Sequence, residues 1–193
     1  MRLNLGCGKD YKEGYINVDF SKDVTVDECV DLYSVPWPWK DGSADEILML
    51  DFLEHLPYRK TETILLECFR VLRDDGLIVI QVPDFDHCSR AALDRDQYKC
   101  NACGFPFVDG NKLLKCGKCG QSKEDITKAA IHRLYGGQDY HGNWHYTAFT
   151  QEILSKMLLK SGFKGLSFLE EKHQWDNWNF KISGRKNHDI WEL

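Results

Sequence analysis

The chain has 193 residues, 42% hydrophobic and 28% charged, a size and balance that suit one domain with room for a small inserted module and exclude a disordered chain. Its net charge of -5, from 25 basic and 30 acidic side chains, excludes the broadly basic surface of a sequence-independent nucleic-acid binder, though not a local basic patch. No apolar run approaches the about 20 residues of a membrane helix, and Met1 to Gly6 carry no secretory pattern, so the expected location is the cytoplasm, with no membrane partner. There the 8 cysteines should be thiols or metal ligands, not disulfides.

In chain order, Arg2 to Leu5 reads as a short strand broken by Gly6-Cys7-Gly8, and Tyr15 to Val18 as a second, ending at Asp19. A third lies within Val24 to Leu32, and Glu46 to Leu50 is a run of the kind buried on both faces. Tyr58 to Arg73 is the clearest helix, with Ile64, Leu65, Cys68, Phe69 and Leu72 at three- and four-residue spacing. Asp74-Asp75-Gly76 should stop it, before a strand over Leu77 to Val82. From about Asp84 to Ala130 the chain turns polar, cysteine-rich and lysine-rich, with no clear period until its end. A helix over Thr150 to Ser161, capped by Thr150 and ended by Gly162, precedes closing strands at Phe163 to Leu169 and Asn177 to Ser183. Such alternation predicts a mostly parallel sheet with helices packed on it.

The turn Gly6-Cys7-Gly8 follows a strand directly, and its glycines permit positive φ and close approach of a ligand to the backbone. Asp19 could accept both hydroxyls of a ribose, while Asp31-Leu32 offers one polar and one apolar group to an adenine ring. Leu-Asn-Leu-Gly-Cys-Gly, Ile-Asn-Val-Asp, Asp31-Leu32, Leu50 to Leu56 and Leu72 to Leu77 together resemble the Rossmann-like, class I S-adenosylmethionine-dependent methyltransferases. The similarity extends over residues 1–83 and resumes near Ile131. It implies an α/β fold with a seven-stranded, mostly parallel sheet whose last strand is antiparallel. It also implies S-adenosylmethionine as cofactor, with contacts at Gly6, Cys7, Gly8, Asp19, Asp31, Leu32, Asp51 and Phe52. Cys7 is expected to contribute backbone, not its thiol.

Two departures stand out. Asn4 occupies a place where that family often has an acidic residue. Only seven residues separate Gly8 from Ile16, too few for the helix a parallel crossover normally carries, so Lys9 to Gly14 can hold at most one turn. The chain most resembles uncharacterised bacterial and viral methyltransferase-like proteins that share this shortened arrangement. The missing third glycine argues against a nicotinamide dehydrogenase.

Cys100-x-x-Cys103 and Cys116-x-x-Cys119, twelve residues apart, have the spacing of four thiolates around one structural Zn²⁺ and resemble a zinc ribbon. The expected organisation is therefore a methyltransferase domain over residues 1–84 and 130–193, with a zinc-ribbon module inserted at 98–123. Lys99, Lys112, Lys115, Lys118 and Lys123 make the module locally basic, consistent either with an acidic partner or with a solvated small fold.

Methyl transfer depends chiefly on alignment, and a general base helps when the acceptor is a hydroxyl. The stretch from His132 to His145 is the expected acceptor pocket: His141 and His145 are candidate bases, Tyr135 and Asp139 could orient an acceptor, and Arg133 could hold an anionic group. Asp51-x-x-Glu54-His55 could hold Mg²⁺, but that ion prefers oxygen ligands, and a metal-free pair is the simpler expectation. The expected acceptor is a small or sugar-like molecule offering an oxygen or nitrogen. A protein or nucleic-acid substrate recognised through the ribbon, or a non-catalytic scaffold, remains open, as does the oligomeric state.

Overall fold

Apolar runs too short to bury themselves must share one sheet, and in the computed structural model they do. The structure describes residues 1–21, 23–93, 118, 123–139, 142–169 and 178–187. The strands are β1 (Arg2–Leu5), β2 (Ile16–Asp19), β3 (Glu28–Cys29), β4 (Ala44–Leu50), β5 (Leu72–Pro83), β6 (Phe163–Phe168) and β7 (Asn179–Lys186). They form one 7-stranded sheet in the order β3-β2-β1-β4-β5-β7-β6. The pairings from β3 through β5 are parallel, and β7 runs antiparallel to both β5 and β6. This is the expected mostly parallel α/β sheet with its last strand reversed.

The central strands are buried on both faces. Leu3, Leu5, Ile47, Met49, Ile78 and Ile80 are fully buried on one face, and Asn4, Leu48 and Val79, paired in register on the other, are buried too, which is why the segments of β4 and β5 read as continuous apolar runs. Helix α1 (Tyr58–Val71) presses Ile64, Leu65, Cys68 and Val71 into the same core while Leu66 faces out. Each such side chain contributes about 1.5–3 kcal/mol on burial. Helix α4 (Gln151–Lys160) starts as expected, with Thr150 Oγ1 accepting from Ile153 N at 3.1 Å. Past its end, Gly162 takes a φ of 98° that a side chain would resist.

Several boundaries differ from expectation. The third strand shrinks to Glu28–Cys29, because only those residues pair with Val18 and Asp19. Helix α1 passes straight into β5 at Leu72, and Asp74-Asp75-Gly76 forms a bulge within the strand: the register jumps from Ala44 opposite Leu72 to Glu46 opposite Leu77. The segment expected to lack period contains helices α2 (Phe85–Leu93) and α3 (Lys123–Tyr135), which pack on each other. Among their described side chains Cys88 and Ala130 are buried, while Phe85, Ile131 and Tyr135 are exposed. The proposed zinc ligands Cys100, Cys103, Cys116 and Cys119 lie outside the described residues. Among the described residues, no helix is long and apolar enough to cross a membrane.

Candidate active site

The turn after β1 is shaped by two glycines in the left-handed region, Gly6 at φ 65° and Gly8 at φ 50°. A β-carbon on Gly6 would lie 2.2 Å from Cδ2 of Phe52, so the turn sits directly against the segment following β4. Beside Gly8 a β-carbon would meet nothing within 4 Å, leaving its backbone open to a ligand. Asp19, 9% exposed, accepts from Gly8 N and Ser21 N, both at 2.9 Å, one through each carboxylate oxygen. Each oxygen retains a lone pair for a hydroxyl donor. This cradle fits the adenosine half of S-adenosylmethionine. Cys7 is buried, its thiol pushed up to about 11 chiefly by burial, and its N–H donates to Val18 O at 3.0 Å. It contributes backbone only.

Two asparagines make up for the missing first helix. Asn4 Nδ2 donates to Asp10 O and Asn17 Oδ1, both at 2.9 Å. Asn17 also accepts from Lys12 N at 2.8 Å and donates to Lys12 O at 3.0 Å, Tyr15 O at 3.1 Å and Asp27 Oδ2 at 3.0 Å. Side-chain amides thus satisfy backbone groups that a helix would otherwise satisfy internally. The residue that departs from the family's pattern is itself a support of the loop.

The Asp31-Leu32 pair is arranged differently from expectation. Asp31 starts a turn, accepting from Tyr33 N at 2.9 Å and Ser34 Oγ at 2.7 Å, and Leu32 is turned into the core at 2% exposure. Leu32 joins the hydrophobic core, because the chain has already left β3 and bends there.

From the Gly6 contact at Phe52, the chain continues through Glu54 and His55 into a cavity of about 240 Å³. Asp51, Glu54 and His55 form one wall; His132 and Arg133 of α3, with Asn143 and His145, form the other. The walls are joined by main-chain bonds: Tyr146 N and Thr147 N donate to Glu54 O at 2.9 and 3.2 Å, and Thr147 Oγ1 donates to Leu56 O at 2.6 Å. His145 N donates to Tyr135 O at 3.1 Å, tying the loop to the end of α3. Gly136 permits this approach, since a β-carbon there would lie 2.5 Å from Asn143 O.

Both imidazoles are fixed by carbonyls that can only accept. His55 Nδ1 lies 3.0 Å from Trp144 O and His145 Nδ1 lies 2.8 Å from Arg133 O, so each ring carries its proton on Nδ1 and leaves Nε2 as a lone pair. The rings meet edge to face, centroids 4.7 Å apart. Burial pushes both below the ordinary histidine range, His145 to about 4 with help from neighbouring His55, so both are neutral at pH 7. Glu54 is 1% exposed, and neither of its oxygens has a hydrogen-bond partner among the described residues. Burial, then the charge of Asp51, holds it well above the usual carboxylate range. Asp51, at φ 55°, accepts from Gln81 Nε2 at 3.0 Å and from Asn179 Nδ2.

Of the candidate catalytic residues, His145 lines the cavity. Asp139 is exposed and accepts from Asn143 Nδ2 at 2.6 Å, thereby steadying a wall residue. Tyr135, at the end of α3 and not in a loop, exposes its side chain and lends the site its carbonyl. His141 lies outside the described residues. His132 and Asn143 belong to the stretch expected as the acceptor pocket, and Glu54 and His55 to the pair weighed for Mg²⁺; nothing in the sequence indicated that His145 would join that pair.

Residues 3–80 match a family model described as a methyltransferase domain. No curated protein sequence matches the chain. The fold is shared with S-adenosylmethionine-dependent methyltransferases from Methanosarcina mazei (16% identity, 96% of this chain and 92% of that one, TM-score 0.57) and Archaeoglobus fulgidus (16%, 96% and 85%, 0.56). It is also shared with the 1,6-didemethyltoxoflavin-N1-methyltransferase of Burkholderia thailandensis (14%, 96% and 70%, 0.53). Residues 3–80 are thus similar to a methyltransferase domain, and the chain as a whole shares the Rossmann-like fold of these methyltransferases.

Proposed function

We propose that the protein methylates an oxygen or nitrogen of a small-molecule or sugar-like acceptor seated in the cavity beside Asp51 to His55. The observation that carries this reading is the contact between the cofactor turn and the cavity wall: Phe52 packs on Gly6 while Glu54 and His55, two and three residues on, line the cavity. At about 240 Å³ the cavity is small, below the ~300–1,000 Å³ of most ligand pockets, and takes a ring-sized group at most.

The backbone of Gly6, Cys7 and Gly8 and the carboxylate of Asp19 would hold the cofactor. When bound, S-adenosylmethionine supplies a methyl group on a sulfonium, which needs a lone pair aligned with it. Neutral His55 and His145 each offer Nε2 to a hydroxyl on the acceptor, and His145 can take its proton. Arg133, on the same wall, can pair with an anionic group of the acceptor. The structural Zn²⁺ on Cys100, Cys103, Cys116 and Cys119 remains part of this proposal. So does recognition of a larger substrate through residues 98–123, since in sequence that segment leads into α3, and His132 and Arg133 of α3 line the cavity.

The test is calorimetric titration with S-adenosylmethionine and S-adenosylhomocysteine, followed by an acceptor screen. Wild type should bind both and Asp19→Ala neither. Equal binding by Asp19→Ala would displace the cofactor site from this turn, and no binding by wild type would end the reading.

A further inference from the structure

We propose that Glu54, His55 and His145 form a binding site for one divalent transition-metal ion of the zinc class. One carboxylate oxygen and one nitrogen from each imidazole lie within 4.8 Å of one another. Donors around a tetrahedral ion with bonds of about 2.0–2.1 Å sit about 3.3 Å apart, so small side-chain rotations close the set.

Three independent features point to a cation. Glu54 is essentially fully buried and lines the cavity with both oxygens unpartnered among the described residues. A buried polar group left so costs about 1–3 kcal/mol, and a carboxylate costs more, unless something else occupies its lone pairs. Each imidazole already donates its Nδ1 proton to a main-chain carbonyl, Trp144 O for His55 and Arg133 O for His145. That is the outer-shell arrangement that fixes a ligating histidine's tautomer and directs its other nitrogen at a metal. Finally, the donors come from two chain segments that backbone bonds from Tyr146 and Thr147 to Glu54 O hold together. The site is therefore preorganised.

The donor set identifies the ion's class. Two nitrogens and one oxygen suit Zn²⁺, Co²⁺ or Mn²⁺ better than Mg²⁺, which wants oxygen donors and near-octahedral water. Three protein ligands leave a position open, as in catalytic and not structural sites. This deepens the acceptor-cavity reading and rests on it only for what the ion does. An acceptor hydroxyl taking the open position becomes more acidic, and the imidazoles then serve as ligands in place of bases.

The experiment uses full-length protein stripped by chelator and titrated with Co²⁺, comparing wild type with Glu54→Gln and His145→Ala. Cobalt bound by thiolates absorbs through sulfur charge transfer, so the cysteine quartet is counted separately from a nitrogen–oxygen site. Each variant should bind one fewer Co²⁺ than wild type, losing only the part of the visible d–d absorption that has no accompanying sulfur charge transfer, while thiolate absorption stays unchanged. Equal cobalt uptake in all three proteins overturns the proposal. Glu54→Gln keeps the side chain's size, so it carries the test should His145→Ala fail to fold. Titration of the same samples with S-adenosylmethionine separates the two readings: cofactor binding without a cobalt difference sinks only the metal site, and a cobalt difference without cofactor binding sinks only the methyltransferase reading of the cavity.

Discussion

Replacing Gly6 or Gly8 by alanine separates what the cofactor turn owes to packing from what it owes to ligand access. Both have positive φ, which costs an alanine about 1–2 kcal/mol. They differ in surroundings. At Gly6 the new β-carbon would lie 2.2, 2.5 and 2.8 Å from the Cδ2, Cγ and Cβ of Phe52, a side chain only 7% exposed. Overpacking of that kind adds about 1–3 kcal/mol. Gly6→Ala should therefore lose about 2–5 kcal/mol, a fall in Tm of roughly 4–20 °C for a chain of this length. Gly8→Ala, with nothing within 4 Å, should lose only the backbone cost, about 1–2 kcal/mol. Its methyl group would nevertheless stand where the cofactor approaches, so affinity for S-adenosylmethionine should fall more steeply than stability. Thermal and urea unfolding measure the first effect, and calorimetry measures the second. Trimming the ring in Gly6→Ala/Phe52→Leu should recover part of the loss beyond what additivity allows. If Gly6→Ala is no less stable than Gly8→Ala, the contact between the turn and Phe52 is not the one described.

Two further predictions concern groups away from the cavity. Glu67 accepts from Trp37 N at 2.6 Å and from Arg70 Nη2 and Nε at 2.6 and 2.9 Å, and these bonds hold it below its ordinary 4.5. A lowered acid stabilises the fold above its unfolded pKa and loses that contribution as pH falls through the folded one. Glu67→Gln should thus cost about 1–3 kcal/mol near pH 7, with the gap to wild type closing below about pH 4 in urea titrations; a gap constant with pH would refute the ion pair's role. Among the four cysteines outside the quartet, Cys29 is exposed while Cys7, Cys68 and Cys88 are buried, with thiols raised by burial. Iodoacetamide at pH 7.5 should label Cys29 far faster than the other three, read by peptide mass spectrometry, and comparable labelling of Cys7 would mean that the turn opens in solution.

The sheet was legible in the sequence because its central strands are buried on both faces and leave continuous apolar runs, and α1 because a one-sided stripe has a period. Helices α2 and α3 were not, since they flank a polar, cysteine- and lysine-rich stretch whose composition hid where each helix ends and begins. The turn after β1 was legible from Gly6 and Gly8, and Asp19, eleven residues beyond Gly8, from its place at the end of the next strand. That Leu32 turns its side chain into the core was not legible, because a strand's end gives no sign of which way the next side chain turns. The cavity was only half legible. Glu54 and His55 are neighbours in sequence, but their juxtaposition with His145 depends on main-chain bonds between segments some ninety residues apart, Thr147 to Leu56 among them. Asn4 looked like a weakness in the loop until its amide was seen bonded to Asn17.

The position of β7 also bears on how the chain is made. Its register places Leu77 opposite Arg185 and Pro83 opposite Asn179, so β5 has no neighbour on one side until the last strand has been synthesised. A ribosome-bound chain that has completed β1 to β5 therefore presents a long, flat, apolar edge, the kind of surface on which nascent chains join one another. Everything between Asp84 and Trp178 must emerge while that edge waits. The protein's yield in a cell should accordingly depend on how long that edge stays open, with chaperone supply or a slowed translation rate governing it more than the stability of the finished fold.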